Sequence, residues 1–466
     1  MMKRNVFPVT IVLLLLLTLI ACNETQPLTT AQINQKNAQA EAAMSEGDDE
    51  TAEELFEEIL QYDPGNPQAN MGVGLIQFLR SQKEMMDIVA DYLTLDQLNQ
   101  FRGLIQQPVK SAAGGMMLAR VLADRADTMD LSLIQSKIAD IVAQMEMAKF
   151  ALTIAVMNMA EGDVMEVNPN AFDWNEDGFV DPDQPLRFTF DVEGESRVWW
   201  LLFAYEPEIY FGPGFQGRMS TLLSKLSSRS SRGFFDDSVR GDAWFDLQTF
   251  EALMDTGMIE EGYEPVFNSA DKLSIDINQA KILLALVNLE LTMLEPLMIW
   301  DLDPTPELTD FLDEMENADV PMNYATSTLD TNQDGIISST EFQAILPEEF
   351  LTFYDDENGG LDAIVSWQNA IIDLCTQAVD VGQILLGDLP VEIIDALDQV
   401  IALVTDPTEK IEMAENTYLI PGHFFASPQL YDDLKDIVIP TVEYEGDYFY
   451  LYITDPTFGG LIEIIE

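Results

Sequence analysis

Histidine and cysteine are scarce in this chain of 466 residues, which contains one histidine and two cysteines. Because His423 is the only imidazole, a zinc site with two histidines is excluded, and a Ser-His-Asp triad would have to use this residue. His423 follows Pro421 and Gly422, so we expect it in a turn. Since the sequence also has no nucleophile elbow, phosphate-binding loop or zinc-protease motif, we predict that the protein is not an enzyme.

Basic residues are scarce as well. The 22 lysines and arginines are opposed by 82 aspartates and glutamates, which gives a formal net charge of -60 at pH 7. Such a charge repels phosphate backbones and anionic head groups, so it argues against nucleic-acid binding and makes cations the natural partners. Solubility explains most of these carboxylates, and the charge alone identifies no site.

The N-terminus has the pattern of an export signal. Lys3 and Arg4 precede an apolar run over residues 9–20, which is too short to span a bilayer as a permanent helix. The run ends in Leu19-Ile20-Ala21-Cys22, which resembles the lipobox of bacterial lipoproteins. The alternative is an ordinary signal peptide that happens to end in a cysteine.

The lipobox resemblance implies that residues 1–21 are a removed signal peptide and that Cys22 is the acylated first residue, followed by a tether over residues 22–30. It implies a lipid-anchored protein of the cell envelope. Because Asn23 is not an aspartate, the sorting rules of this family favour the outer membrane. With Cys22 lipidated, Cys375 is the only remaining thiol, so an intramolecular disulfide is excluded and stability must come from burial and ions.

Hydrophobic periodicity predicts a mainly α fold, a multi-helix bundle or array. The predicted helices lie within residues 31–79 (three segments, broken at Gly47 and at 63–67), 109–160 (two segments), 275–298, 362–386 and 391–404. Residues 106–420 are expected to form the helical body, with one short strand at 186–192. Residues 421–466 are expected to form a small β-rich element, because residues 437–453 alternate as a hairpin does.

The region 31–105 contains a second resemblance. Ala52, Phe56 and Pro64 have the mutual spacings of a tetratricopeptide repeat, and Gly74 stands where a following repeat has its small residue. The region therefore resembles one repeat and the first helix of another, which implies a protein partner. The alternative is a helical hairpin docked on the main body, because such repeats need about three copies to be stable alone.

Residues 330–341 read Asp-Thr-Asn-Gln-Asp-Gly-Ile-Ile-Ser-Ser-Thr-Glu and resemble an EF-hand calcium loop at every position that the chemistry requires. The resemblance implies side-chain, backbone and water-bridged oxygen ligands from Asp330, Asn332, Asp334, Ile336, Ser338 and Glu341. Gly335 allows the sharp turn, and Ile337 is expected to point inward. The exit helix is predicted over residues 339–346, whereas Pro321 leaves little room for an entering helix. The alternative is a polar turn before a capped helix.

Residues 173–184 match the first eight positions of the same loop. The candidate ligands are Asp173, Asn175, Asp177, Phe179, Asp181 and Asp183. Gln184 stands where the loop normally has its final glutamate, and Pro185 forbids a normal exit helix. Asp181 or Asp183 would therefore complete the coordination shell of the calcium ion. A plain acidic turn is the alternative. EF-hand loops commonly pair through their eighth residues, so we hypothesise that Val180 lies beside Ile337.

These patterns predict a membrane-anchored, calcium-binding lipoprotein that acts as a non-enzymatic binding or scaffold protein. Ca²⁺ would serve as a structural staple in a chain that has no disulfide. The rival prediction is a calcium-dependent carbohydrate-binding or carbohydrate-active protein, in which Trp199, Trp200 and Tyr205 would form a sugar platform. Burial of these aromatic side chains would favour the first prediction, and exposure in an acidic cleft would favour the second.

Overall fold

The computed structural model describes residues 28–92, 131–160, 162–167, 187–192, 195–200, 273–301, 330–334, 336–344, 346, 351–354, 359–386, 389–414, 416–445, 448–453 and 455–465. The described part is mainly α, with small sheets of two or three strands, which confirms the predicted fold class. Among the described residues, no helix is both long and apolar enough to cross a membrane.

The α-helices are α1 (Thr30–Ser45), α2 (Asp49–Tyr62), α3 (Pro67–Tyr92), α4 (Leu131–Asn158), α5 (Ile277–Leu294), α6 (Ser339–Gln343), α7 (Gly359–Leu386), α8 (Val391–Thr405), α9 (Pro421–Ala426) and α10 (Leu434–Val438). Two 3₁₀ helices span Glu295–Met298 and Pro428–Tyr431. The strands are β1 (Met165–Val167), β2 (Arg187–Val192), β3 (Glu195–Trp200), β4 (Leu273–Ile275), β5 (Ile336–Ile337), β6 (Ile411–Ala414), β7 (Thr417–Leu419), β8 (Pro440–Glu445), β9 (Tyr448–Ile453) and β10 (Ile462–Ile464).

The first three helices begin and end where local signals place them. Thr29 and Gln32 form a capping box at the start of α1, which satisfies backbone N–H groups that have no partner within the helix. Gly47 adopts a φ of 77° in the turn before α2, a conformation that glycine tolerates without strain. The prediction of three helices is confirmed. The third continues to Tyr92, well beyond the predicted end at residue 79.

The main core lies where α3, α4, α5 and α7 pack on one another, with α2 covering α3. Phe56 of α2 is fully buried, and its ring lies against Gly72 of α3, where a Cβ atom would overlap it. Gly74 of α3 lets α4 approach α3 equally closely, because a Cβ atom at this position would lie 2.7 Å from Leu152 Cγ of α4. Small residues on α3 therefore set how closely its neighbours pack.

Helix α5 is a buried bundle helix, as predicted, although Glu290 lies within it and Glu295 is its C-cap residue. Burial raises the pKa of the half-buried Glu290 to about 7, an effect opposed by a hydrogen bond that Gln82 Nε2 donates to its Oε2 (2.5 Å). The second glutamate, Glu295, is only 2% exposed. Ionisable groups therefore lie at the packing surfaces of this helix bundle.

The C-terminal hairpin is confirmed, with Glu445 opposite Tyr448 across the β8–β9 turn. A second small sheet has the order β10-β7-β6, so residues 462–464 pair with a strand that precedes the predicted element 421–466. The predicted strand at 186–192 is also confirmed as β2, which pairs with β3. Local alternation thus located the C-terminal hairpin and strand β2, whereas the pairing of β10 with β7 joins segments that are distant in the sequence.

A second, smaller core joins α7 to the C-terminal segment through Trp300, Trp367, Phe424 and Tyr431. The expectation of a turn at His423 is wrong, because this residue lies in the short helix α9, where Pro421 occupies the first position and needs no N–H partner. His423 Nδ1 lies 3.0 Å from Tyr431 Oη. The only histidine is therefore part of the aromatic packing of this core.

Candidate metal site

Residues 330–334 and 336–341 form a turn, a two-residue strand and the start of a short helix. Asp330, at the first position, is 3% exposed, whereas Asn332 and Asp334 lie at the surface. Ile337, at the eighth position, is 1% exposed, which confirms the prediction that it points inward. The segment therefore has a buried beginning, an exposed polar middle and a buried apolar anchor.

Hydrogen bonds from backbone N–H groups hold the side-chain oxygens of the turn in place. The Asp334 N–H donates to Asp330 Oδ1 (3.0 Å) and to Asn332 Oδ1 (2.8 Å). The Ile336 N–H donates to Asp334 Oδ1 (2.9 Å). These bonds follow the local pattern that Asp and Asn form with the backbone of turns. As a result, the three predicted side-chain ligands curl around the same stretch of backbone.

Glu341, the twelfth residue, folds back over the beginning of the turn. Its Oε1 accepts hydrogen bonds from Thr331 Oγ1 (2.7 Å) and from the Asn332 N–H (3.2 Å). Its Oε2 accepts from the N–H (3.0 Å) and Oγ (2.8 Å) of Ser338. One carboxylate thus joins the second, third and ninth positions, which brings both ends of the predicted loop together.

The same carboxylate caps the exit helix. Ser338 is the N-cap residue of α6, and its Oγ accepts from the Glu341 N–H (3.3 Å), which completes a capping box. Hydrogen bonds from Ser338 and from Thr331 and Asn332 lower the pKa of Glu341 to about 2. Because its pKa lies so low, Glu341 is ionised throughout the physiological pH range.

The exit helix is shorter than predicted. It ends at Gln343, whereas the prediction extended to about residue 346. Pro347 follows closely in the sequence, and a proline disfavours helical geometry in the residue before it and removes a backbone donor. The helix that follows the loop is therefore a single turn fixed by its capping box.

The C-terminal hairpin anchors the loop. Ile336 and Ile337 of β5 pair with Glu443 and Val442 of β8, so the loop contributes the third strand to the β8–β9 sheet. Side chains of α6 add two contacts. Ser339 Oγ lies 3.3 Å from Thr441 Oγ1, and Gln343 Nε2 donates to Asp436 Oδ1 (2.7 Å). The loop and α6 thus pack directly against the C-terminal segment that contains α10 and β8.

The second predicted loop lies outside the described residues, together with its candidate ligands Asp173, Asn175, Asp177, Phe179, Asp181 and Asp183. The hypothesis that Val180 pairs with Ile337 remains a prediction, because Val180 is also outside the described part. The structure gives Ile337 a different neighbour on one edge, Val442. The lipidation candidate Cys22 and the aromatic Tyr205 fall outside as well, and only the backbone of Trp199 and Trp200 is described, within β3.

Within the described part of the chain, no group of three His, Cys, Asp or Glu side chains is arranged so that it could hold a metal ion. At residues 330–341 both oxygens of Glu341 accept hydrogen bonds from Thr331, Asn332 and Ser338. The donor chemistry nevertheless suits Ca²⁺, which prefers carboxylate, amide and backbone oxygens. Binding would therefore require Glu341 to exchange hydrogen bonds for the ion.

Sequence reasoning did not identify Thr331 as a partner of Glu341, nor β8 as the partner of β5. The hydroxyl of Thr331 stands at a position that the EF-hand pattern leaves open, so the motif gave no signal. The β5–β8 pairing joins residues more than a hundred positions apart. Such a register depends on tertiary packing.

In the described residues, the fold and the loop define a mainly α protein with small accessory sheets and a candidate cation-binding turn at residues 330–341. No protein-family model, no curated protein and no solved structure matches the chain.

Proposed function

We propose that the protein is a calcium-binding lipoprotein, anchored in the cell envelope through Cys22, that acts as a non-enzymatic binding or scaffold protein. Calcium at residues 330–341 serves as a structural staple. The single observation that supports this proposal best is the position of Glu341, whose carboxylate folds back to Thr331 and Asn332 and so brings the end of the loop to its beginning. A bidentate glutamate at this position is what a calcium loop requires.

The residues of the loop supply enough oxygen for the ion. In this proposal Asp330, Asn332, Asp334 and Glu341 contribute side-chain oxygens, Ile336 its backbone carbonyl and Ser338 a water-bridged contact. Glu341 would release the donors of Thr331, Asn332 and Ser338 and bind calcium with both oxygens. Thr331 and Asn332 lie at the surface and Ser338 is partly exposed, so these donors can bind solvent instead.

The proposed partners follow from the same reasoning. The export pattern supports a lipid anchor in the outer membrane, and the helices of residues 31–105 are the proposed contact region for a protein partner. The net charge of -60 supports a cation as ligand and argues against nucleic acid.

Calorimetric titration of the mature chain with CaCl₂ tests calcium binding directly. We expect the parent protein to bind Ca²⁺ with a dissociation constant of about 10 µM, within the range of EF-hand sites. Glu341→Gln keeps the size of the side chain but removes its charge, so we expect binding at this site to weaken by at least about tenfold. The matched control is Glu392→Gln, at an exposed position of α8, which should bind as the parent does. Identical titrations of parent and Glu341→Gln would contradict the proposal.

Hydrogen exchange should report the connection between the loop and the hairpin. Because Ile336 and Ile337 pair with β8, we expect calcium to slow amide exchange in residues 441–445 of the parent protein. The helix α8 provides an internal control, since those of its amides within residues 391–405 that exchange by local opening should exchange at the same rate with and without calcium. In Glu341→Gln the protection of residues 441–445 by calcium should be lost. Protection that persists in this variant would show that calcium acts elsewhere.

A further inference from the structure

The outer face of α4 exposes a row of apolar side chains. Phe150 and Met157 are 70% and 78% exposed, the two largest values among the described large apolar residues. Met147 is 51% exposed, and Ile154 is half-buried. Because these four residues recur at spacings of three and four, they lie on one face of the helix. Together they are called the outer stripe below.

The opposite face of α4 packs into the main core. Leu152 lies against Gly74 of α3, and Ser81 Oγ of α3 lies 3.3 Å from Met145 Sδ. A surface helix usually turns a polar face to water, whereas a helix that is apolar on all sides is usually covered on all sides. The outer stripe therefore has the composition of a surface that a partner covers.

The C-terminal end of the outer stripe lies where the described chain begins. Helix α4 runs antiparallel to α3, so Asn158 at its end contacts Gly65 in the turn before α3. Asn37 of α1 donates to Gln68 Oε1 (2.9 Å) in the first turn of α3. Thr30, the first residue of α1, is about 10 Å from Asn37 along the helix. The start of α1 and the end of α4 thus share one end of the helix bundle.

The proposed lipid anchor is attached at this same end, a step that rests on the proposed function. Cys22 precedes the first described residue, Leu28, by six residues, which span at most about 20 Å when fully extended. With the acyl chains of Cys22 in the bilayer, the start of α1 stays within about this distance of the membrane surface. The tether therefore keeps the outer stripe close to lipid.

The end of the bundle that carries the anchor is poor in charge. Residues 25–35, 64–79 and 150–160 contain no charged side chain, although the net charge of the chain is -60. These segments include the start of α1, the first half of α3 and the end of α4. Asp163 and Glu166 follow α4 and limit the uncharged surface. Inserting residues 150–157 into lipid would thus remove no ionised group of this segment from water.

The two charged residues beside Met147 are directed at another helix. Glu146 Oε1 accepts a hydrogen bond from Ser366 Oγ of α7 (2.7 Å). Lys149 Nζ forms an ion pair with Asp373 Oδ2 of α7 (3.0 Å). Both partners lie on α7, so the outer stripe is not interrupted by a charge that points along it.

We propose that the outer stripe inserts into the interfacial region of the membrane that holds the lipid anchor, and so lays the helical body against the bilayer. Membrane binding by such a helix scales with the apolar area that it buries, and the anchor raises the effective concentration of the stripe at the surface. Zwitterionic head groups suit this uncharged surface. A second copy of the chain is disfavoured as the occupant, because two chains with a net charge of -60 repel each other.

Hydroxyl-radical footprinting of the full mature chain tests this proposal. The Cys22 thiol is coupled to a maleimide lipid in phosphatidylcholine vesicles, and the reference is the same chain capped with a water-soluble maleimide. Cys375 is buried and does not compete for coupling. We expect labelling of Phe150 and Met157 to fall at least about threefold on vesicles, because lipid excludes water from inserted side chains. Met413 of β6, which is 44% exposed, is the internal control and should be labelled equally in both samples.

A charged variant tests whether the apolar character of the outer stripe is required. Phe150→Asp with Met157→Asp changes two exposed positions, so the fold should be retained, as circular dichroism would verify. On vesicles this variant should no longer protect Met147. The matched control is Val391→Asp with Leu430→Asp, at positions that are 61% and 56% exposed, and it should protect Met147 as the parent does.

Three results would overturn the proposal. They are unchanged labelling of Phe150 and Met157 on vesicles, protection of Met147 that persists in the charged variant, and protection in the capped chain that rises with protein concentration. The last result would assign the outer stripe to a second copy. Because the coupling is chemical, none of them depends on acylation in cells. Incorporation of labelled palmitate, compared between the parent and Cys22→Ser, tests the anchor separately.

Discussion

Removing calcium with a chelator should lower the melting temperature of the mature protein, and the double variant Asp330→Ala with Glu341→Ala should lose most of this response. A ligand that binds only the folded state stabilises it by RT ln(1 + [L]/Kd), where [L] is the concentration of free ligand. At roughly millimolar extracellular calcium and a dissociation constant of about 10 µM, this amounts to about 2.7 kcal/mol. For a chain of this length that unfolds as one unit, the expected shift is about 3 °C.

The loop geometry is the reason for choosing these two residues. Asp330 is the buried first position of the loop, and Glu341 is the twelfth residue, whose carboxylate closes the turn. The double variant therefore removes a proposed ligand from each end of the loop. Scanning calorimetry with and without a chelator provides the measurement. Asp395→Ala with Asp398→Ala removes the same charge from exposed positions of α8 and should respond to chelation as the parent does. If the chelator leaves the melting curve of the parent protein unchanged, the proposed stabilising role of calcium is wrong.

Replacing Phe56 by alanine should destabilise the helical core by about 3–5 kcal/mol, the range measured for buried aromatic residues in other proteins. The ring is fully buried between α2 and α3, and the position opposite it is Gly72, which has no side chain that could move into the space. The truncation therefore leaves a cavity, and the apolar surface around it loses its contacts.

Phe150→Ala is the matched control for this experiment, because the same side chain is removed from a position of α4 that is 70% exposed. Its effect on the free energy of unfolding should remain within about 0.5 kcal/mol. Urea denaturation followed by circular dichroism would measure both variants. Equal effects in the two variants would mean that the packing of α2 on α3 does not stabilise the protein.

Much of the secondary structure follows from local chemistry. The breaks at Gly47 and at residues 63–67 separate α1, α2 and α3 as predicted, because the turn residues and helix caps are encoded next to the elements they terminate. The β8–β9 hairpin follows from alternating side chains around Gly446. By contrast, neither the length of α3 nor the short exit helix of the calcium loop could be predicted, because helix ends depend on neighbours in space as well as on sequence.

The candidate site likewise combines features that follow from the local sequence with features that depend on tertiary packing. The sequence determined which oxygens residues 330–341 offer and that Ile337 turns inward, because both depend on spacing within twelve residues. Only the tertiary structure decided that the loop completes the sheet of the C-terminal hairpin and that Ser366 of α7 donates a hydrogen bond to Glu146 of α4. The physical reason is the range of the interactions. Turns, caps and loop ligands are fixed by neighbours along the chain, whereas strand pairing and buried carboxyl contacts arise only when distant segments pack together.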